Sequence, residues 1–288
     1  MGYYSKNAKV EEGASLPDGI RRYGAIVEYL GTSFQGFQRQ SNTENTVQEK
    51  LETALTYIAN EPIAVSCAGR TDAGVHATRQ VIHFDTSVNR TAKAWVEGGN
   101  TKLPDDIRIQ FTREVKPQFH SRFSAFSRTY RYVFYTSPIK PTFMHSMVTW
   151  VKSELDERAM QEASQYLVGE LDFSSFRAAQ CQSISPFRNI EYVRFDRYGP
   201  FLVMEIKANA FLHHMVRNIA GSMMSVGRGQ RQPIWINEVL QAKDRTLAAA
   251  TAPPNGLFLV GVGYPSQFDW PSSASGPEFL KSALGVRP

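Results

Sequence analysis

The sequence predicts an α+β fold: two ferredoxin-like (split βαβ) halves joined around a central, mainly antiparallel sheet, with the active-site cleft between them. Two observations carry this. Stretches of period-2 and helical apolar spacing follow one another in an order close to β-α-β-β-α-β, and the pattern recurs in the second half without a sequence repeat. The length of 288 residues suits about two domains, each with its own core.

Residues 1–20 read as a flexible leader, polar and without the apolar core of a secretory signal. An N-terminal α+β domain is expected over 21–118. It opens with a strand at 21–29, which puts Tyr23, Ala25 and Val27 on one side. Thr46 and Glu49 fit a capping box, and Val47, Leu51, Ala54, Leu55 and Ile58 follow at helical spacing, so an amphipathic helix is expected to about Asn60. Strands at 63–67 and 80–84, a helix at 91–102 and a strand at 107–115 complete the first half. A C-terminal α+β domain is expected over 119–269. It begins with a strand at 128–135 and a helix at 155–167, then a hairpin pairing 189–197 with 201–208 across Tyr198-Gly199-Pro200. Leu212, Met215, Val216, Ile219, Met223 and Val226 make a helical apolar stripe, and 256–264 reads as a buried strand. The Ser-, Pro- and Gly-rich stretch 270–288 reads as a loosely held tail.

Composition narrows the function classes. The chain has 32 Lys and Arg against 27 Asp and Glu, a net charge of +5 that permits a polyanionic partner without requiring one. Cys67 and Cys181 are the only cysteines, too few and too far apart for a disulfide scaffold or a cysteine zinc site. No run approaches the roughly 18 apolar residues of a membrane span, so a soluble cytoplasmic protein is expected. The absence of GxGxxG, P-loop and Gly-x-Ser-x-Gly sequences removes support for a nucleotide cofactor and argues against an α/β-hydrolase.

Three constellations bear on chemistry. Gly69-Arg70-Thr71-Asp72-Ala73-Gly74-Val75-His76-Ala77 presents a carboxylate from a glycine-bounded loop, and extended backbone would put Arg70 and Asp72 on one side. Arg70 could then hold Asp72 ionised, as a nucleophile or base, or contact a phosphate; the bland alternative is a turn with a surface ion pair. Between Phe119 and Tyr132, the aromatics Phe119, Phe123, Phe126, Tyr130 and Tyr132 interleave with His120, Arg122, Arg128 and Arg131. RNA-binding surfaces combine such stacking faces and guanidinium groups, although an ordinary half-buried strand has the same alternation. In Asn209–Asn218, His213 and His214 invite a metal reading. Zinc-binding helices favour ligands at i and i+4, and Arg217 and Asn218 stand where a second ligand would be needed, so no metal is expected. His214, Arg217, Asn218 and Gly221 instead form a polar stripe, facing either a phosphate backbone or a domain interface.

Taken in order, these segments resemble the tRNA pseudouridine synthase A family. The matches are Tyr29-Leu30-Gly31-Thr32 with Phe34, Gly36-Phe37-Gln38, Thr46-Val47-Gln48, Gly69 to Ala77, Phe119 to Ala125, Asp172 to Phe176, Asn209 to Asn218 and Ala252 to Leu257. The resemblance spans about residues 22–264. It implies isomerisation of uridine to pseudouridine at positions 38, 39 and 40 in the anticodon stem-loop of tRNA, a homodimer and no cofactor. It also implies that Asp72 is the catalytic aspartate, with Arg70 as its ion-pair partner and base-flipping residue. Tyr130 would stack on the target uracil and Leu257 would line the pocket from the opposite side. From the residues themselves, Arg122, Arg128, Arg131, His214 and Arg217 are the further candidates for substrate binding. The chain departs from the family pattern at Leu30, Phe37, Ser121 and Leu171, where Asp, Trp, Ala and His are usual. Two other readings are a non-catalytic RNA-binding or chaperone module, in which Asp72 is incidental, and a small-molecule hydrolase. The hydrolase explains neither the basic bias nor the lack of a second carboxylate at a recognisable spacing.

Overall fold

Apolar alternation and a capped helix establish the first of two compact units, which comprises Met1–Phe126 and Leu259–Ser275; the second comprises Ser127–Phe258 and Gly276–Pro288. The computed structural model describes residues 15–271 and 273–281, so most of the expected leader and the last seven residues of the expected tail lie outside the described residues.

In chain order the first unit contains β1 (Arg21–Tyr29), α1 (Val47–Ala59), β2 (Ser66–Cys67), β3 (His76–Thr86), α2 (Gly99–Lys102) and β4 (Ile107–Val115). β1 pairs antiparallel with β3 on one side and β4 on the other, and β2 pairs antiparallel with β3. The order β4-β1-β3-β2 is that of a split βαβ fold. The Thr46 hydroxyl accepts the Glu49 amide of α1 at 3.2 Å, and Asn60 ends the helix in the left-handed region at φ 56°. Val47, Leu51, Ala54 and Leu55 are buried, and full burial of a leucine contributes about 1.5–3 kcal/mol. The helix expected over 91–102 carries a π-helical turn at Ala94–Gly98 ahead of α2. This turn contains the fully buried Trp95, whose ring lies 5.4 Å from Tyr23 and 5.0 Å from Phe84.

The second unit contains β5 (Ser127–Thr136), β6 (Thr149–Val151), α3 (Glu157–Ser164), β7 (Gly169–Asp172), β8 (Phe187–Tyr198), β9 (Phe201–Ala208), α4 (Met215–Gly227) and α5 (Trp235–Ala242). Its strands run β5-β9-β8-β7, antiparallel at every step, and β6 lies parallel to β5. The β8–β9 hairpin turns where expected. β6, β7 and α5 were not foreseen; β6 and β7, of three and four residues, are too short to show a periodicity of their own. The last strand, β10 (Leu257–Gly263), lies beside β3, and its residues from Leu259 onward belong to the first unit.

Two boundaries differ from the sequence reading. The first unit extends through Phe126 rather than ending at 118, because Phe119 is fully buried among Tyr264, Phe268 and Trp270 of that same unit. In place of a loosely held tail, Trp270 packs into the first unit's core. Farther on, α6 (Glu278–Lys281) carries the buried Leu280 and sets Phe279 against Phe201 and Phe258 in the second unit. Polar composition hid these few apolar anchors. Among the described residues, no helix is long and apolar enough to cross a membrane.

Candidate active site

The Asp72 loop is built by four segments of the first unit that the sequence reading matched separately. The amides of Val47 and Gln48, in the first turn of α1, have no helical acceptor, and they donate to the Gly36 and Phe37 carbonyls at 3.2 and 2.8 Å. The Phe37 amide in turn donates to the Thr71 carbonyl at 3.0 Å. Asp72 therefore follows a residue tied through Phe37 to a helix terminus. The bond is made by the backbone, so it does not depend on the side chain at position 37; the Phe37 ring is buried beside Tyr29.

The loop's far side closes as a turn. The Val75 amide donates to the Asp72 carbonyl at 3.1 Å, and Gly74 takes φ 77°, as the third position of a type II turn requires. Next to the turn, the Gly31 amide donates to His76 Nδ1 at 2.9 Å, and a Cβ on Gly31 would lie 1.9 Å from the Val75 carbonyl oxygen. That approach accounts for Gly31 in the Tyr29-Leu30-Gly31 match. On the near side, Gly69 pairs through both its amide and its carbonyl with the Gln80 side chain.

Within this frame Asp72 is half-buried and Arg70 exposed. The turn begins only at Asp72, at the end of the 70–72 stretch. Arg122, also in the first unit, is exposed, with its guanidinium 5.6 Å from the ring of the exposed Phe123. His120 Nδ1 accepts the amides of both residues, at 3.1 and 3.2 Å, which stiffens that corner.

The second unit holds the remaining predicted residues. Tyr130, on β5, is buried and meets the Phe211 ring edge-on at a centroid distance of 5.1 Å. Phe211 was not singled out, although it lies inside the matched stretch Asn209 to Asn218. Arg128 is buried and donates to the Asn209 carbonyl at 3.0 Å. Arg131 faces the other way: it pairs with the buried Glu205 at 2.7 Å and also bonds the Gly276 carbonyl. Burial alone would raise the Glu205 carboxyl, but the Tyr192 hydroxyl with Arg131 and Arg194 more than offsets this and leaves it below the usual carboxylate range. Both arginines, expected to contact phosphate, thus also make bonds within the protein.

The polar stripe on α4 also divides. His214 precedes the helix at φ 60°, its ring 4.0 Å from that of His213. Arg217 donates through Nε to the Ala252 carbonyl at 2.9 Å. Asn218 and Gly221 face inward: Asn218 bonds the Phe176 carbonyl, Arg245 and Thr251, and a Cβ on Gly221 would lie 2.0 Å from the Ala250 carbonyl oxygen. The buried Leu257 follows a segment fastened by Arg217 at Ala252, by the Tyr132 hydroxyl at the Pro253 carbonyl (2.8 Å), and by Asn255 donating to the His145 and Val148 carbonyls. Burial pushes the Tyr132 hydroxyl well above the usual tyrosine range, so it remains a protonated donor.

Comparison with known proteins bears on the same segments. A family profile described as tRNA pseudouridine synthase matches residues 25–124 and 163–265, stretches that include the Asp72 loop with all its supports, α4 and Leu257; Tyr130 falls between them. The tRNA pseudouridine synthase A of Vibrio parahaemolyticus is 53% identical over 258 residues, covering 90% of this chain and 97% of the relative. That of an Enterobacter species is 52% identical over 261 residues, covering 91% and 96%. With more than half of its positions shared across nearly the full length of such relatives, the chain belongs to the tRNA pseudouridine synthase family.

Proposed function

We propose that this chain isomerises uridine to pseudouridine at positions 38, 39 and 40 of the tRNA anticodon stem-loop. Family membership supports the reaction class. The observation that carries the assignment of residues is the Asp72 loop, where hydrogen bonds from α1 through the 36–37 segment and from the Gln80 side chain of β3 hold the backbone beside one half-buried carboxylate. Preorganisation of this kind suits a group that must meet a reacting centre in a fixed geometry.

The reaction breaks the bond between uracil N1 and the ribose anomeric carbon, turns the base and rejoins it through C5, which gives up its hydrogen. A nucleotide stacked in a stem-loop must first be flipped out at about a few kcal/mol, offset by aromatic stacking and an inserted side chain. Tyr130 supplies the ring and Leu257 an apolar wall. Arg70, exposed two residues before Asp72, serves as its ion-pair partner and flips the base. Asp72 attacks the uracil ring, attacks the anomeric carbon, or removes the ribose 2′-proton to give a glycal; carboxylates do comparable work at anomeric carbons. Because the detached uracil stays bound and returns, the chemistry calls for no redox cofactor or external energy source. A tRNA substrate puts the work in the cytoplasm, and a homodimer would present contacts along the RNA stem.

The test is incubation with an unmodified tRNA transcript followed by pseudouridine-specific chemical mapping. Modification confined to positions 38–40 is expected. Tight tRNA binding without any pseudouridine would favour the non-catalytic RNA-binding reading.

A further inference from the structure

We infer that Tyr29 and Gln80 are positioning residues for the Asp72 carboxylate, acting through Thr71; this deepens the function proposed above and rests on it. Gln80 is fully buried on β3, and Tyr29, the last residue of β1, is 2% exposed. The Gln80 side chain accepts the Gly69 amide at 3.3 Å and donates to the Gly69 carbonyl at 2.6 Å, imitating a strand neighbour for the first residue of the loop. Its nitrogen also donates to the Tyr29 hydroxyl at 3.2 Å.

A carboxamide nitrogen is only a donor, so the Tyr29 oxygen accepts from it. The same hydroxyl is bonded to Thr71 Oγ1 at 2.8 Å, where either oxygen can be the donor. Thr71 is 7% exposed and is held twice, at its hydroxyl by Tyr29 and at its carbonyl by the Phe37 amide. The next residue is Asp72. Tyr29 and Gln80 are themselves carried on the β1–β3 ladder, where Val27 lies opposite Gln80 and Tyr29 opposite Ala77. The sheet's rigidity thus passes through three side chains to the residue beside the carboxylate. An apolar trio could fill the same volume, but it would not select one orientation of the loop, as a satisfied buried network does.

The distinguishing variants are Tyr29→Phe, Thr71→Val, Thr71→Ser and the double change Tyr29→Phe with Thr71→Val. They are compared with the unaltered protein for single-turnover release of tritium from tRNA labelled at uracil C5, tRNA affinity and thermal melting. Tyr29→Phe and Thr71→Val should each slow the single-turnover rate about ten- to a hundredfold while leaving tRNA affinity nearly unchanged, since a small displacement of a reacting group acts on the chemical step. Thr71→Ser keeps the hydroxyl and should keep the rate. Because the network acts as a unit, the double variant should be no slower than the slower single one. Full activity in Thr71→Val, or equal losses in the Val and Ser variants, would mean that shape rather than the bond matters and would overturn the inference. Losses of affinity as large as the losses of rate would do the same. If the unaltered protein released no tritium, the proposed function would fail and this role with it.

Discussion

Asp72 follows a residue whose hydroxyl and carbonyl are both bonded, so its backbone is held through Thr71. A carboxylate in a glycine-bounded loop was legible in the sequence. The identity of its supports was not, because Tyr29, Phe37 and Gln80 are brought to it by strand pairing and loop bonds that no local pattern announces. Arg128 and Arg131 show the same limit. Arginines in an aromatic-basic segment look alike whether they face RNA or a carboxylate, and only the β5–β9 register, which puts Arg131 opposite Glu205, tells them apart. Tyr130 is the residue whose part in turnover is most separable. Tyr130→Phe should bind tRNA nearly as well as the unaltered chain but turn over slowly, since the ring that stacks is kept and the hydroxyl is lost. Tyr130→Ala should also weaken binding by about 1–3 kcal/mol, the value of one base–aromatic stack. Single-turnover rates and equilibrium binding measure the two effects separately, and wild-type behaviour in both variants would reduce Tyr130 to scaffold.

At the scale of elements, the longer strands and α1 were readable because their periodicity runs over eight or more residues, and the capping residue of α1 was named correctly. The π-helical turn was not, because it follows from seating one large indole rather than from any repeat. The segment after β4 holds a pH-sensitive contact. His83, on β3, is buried, and its Nδ1 receives the Ser121 amide at 3.2 Å. Burial, with smaller effects from His120 and Arg22 that outweigh the opposing Asp85, pushes its pKa down to about 3. The unfolded chain takes up a proton near pH 6.5 that the folded chain refuses, so stability is full above that pH and falls as the pH drops toward about 3. At about 1.4 kcal/mol per pH unit, this one group should remove roughly 2 kcal/mol between pH 6.5 and 5. Urea melts at pH 7 and pH 5 should therefore show a smaller acid loss in His83→Gln than in the unaltered protein; equal losses would show that the group does not govern acid stability.

At the scale of the whole molecule, the pattern of two α+β halves was legible, whereas the division at Phe126 was not, because Phe119 and Trp270 join one core from distant points in the chain. The excess of positive charge becomes informative only when sorted by commitment: Arg122 is exposed, while Arg131 is engaged by Glu205. The protein should be a homodimer by light scattering, with a clearly negative slope of log tRNA affinity against log salt. Arg122→Ala should make that slope shallower by about 1, the signature of one lost phosphate contact. Arg131→Ala should leave the slope alone and lower stability instead, since it abandons a buried carboxylate. A monomer whose binding ignores salt would contradict both expectations. The central claim is that a single preorganised carboxylate carries the isomerisation, and it meets its most direct test in Asp72→Asn. This change keeps the side chain's shape and removes its charge. Single-turnover release of tritium from tRNA labelled at uracil C5 should be undetectable in the variant, with folding and tRNA affinity preserved; release at the rate of the unaltered protein would contradict the account.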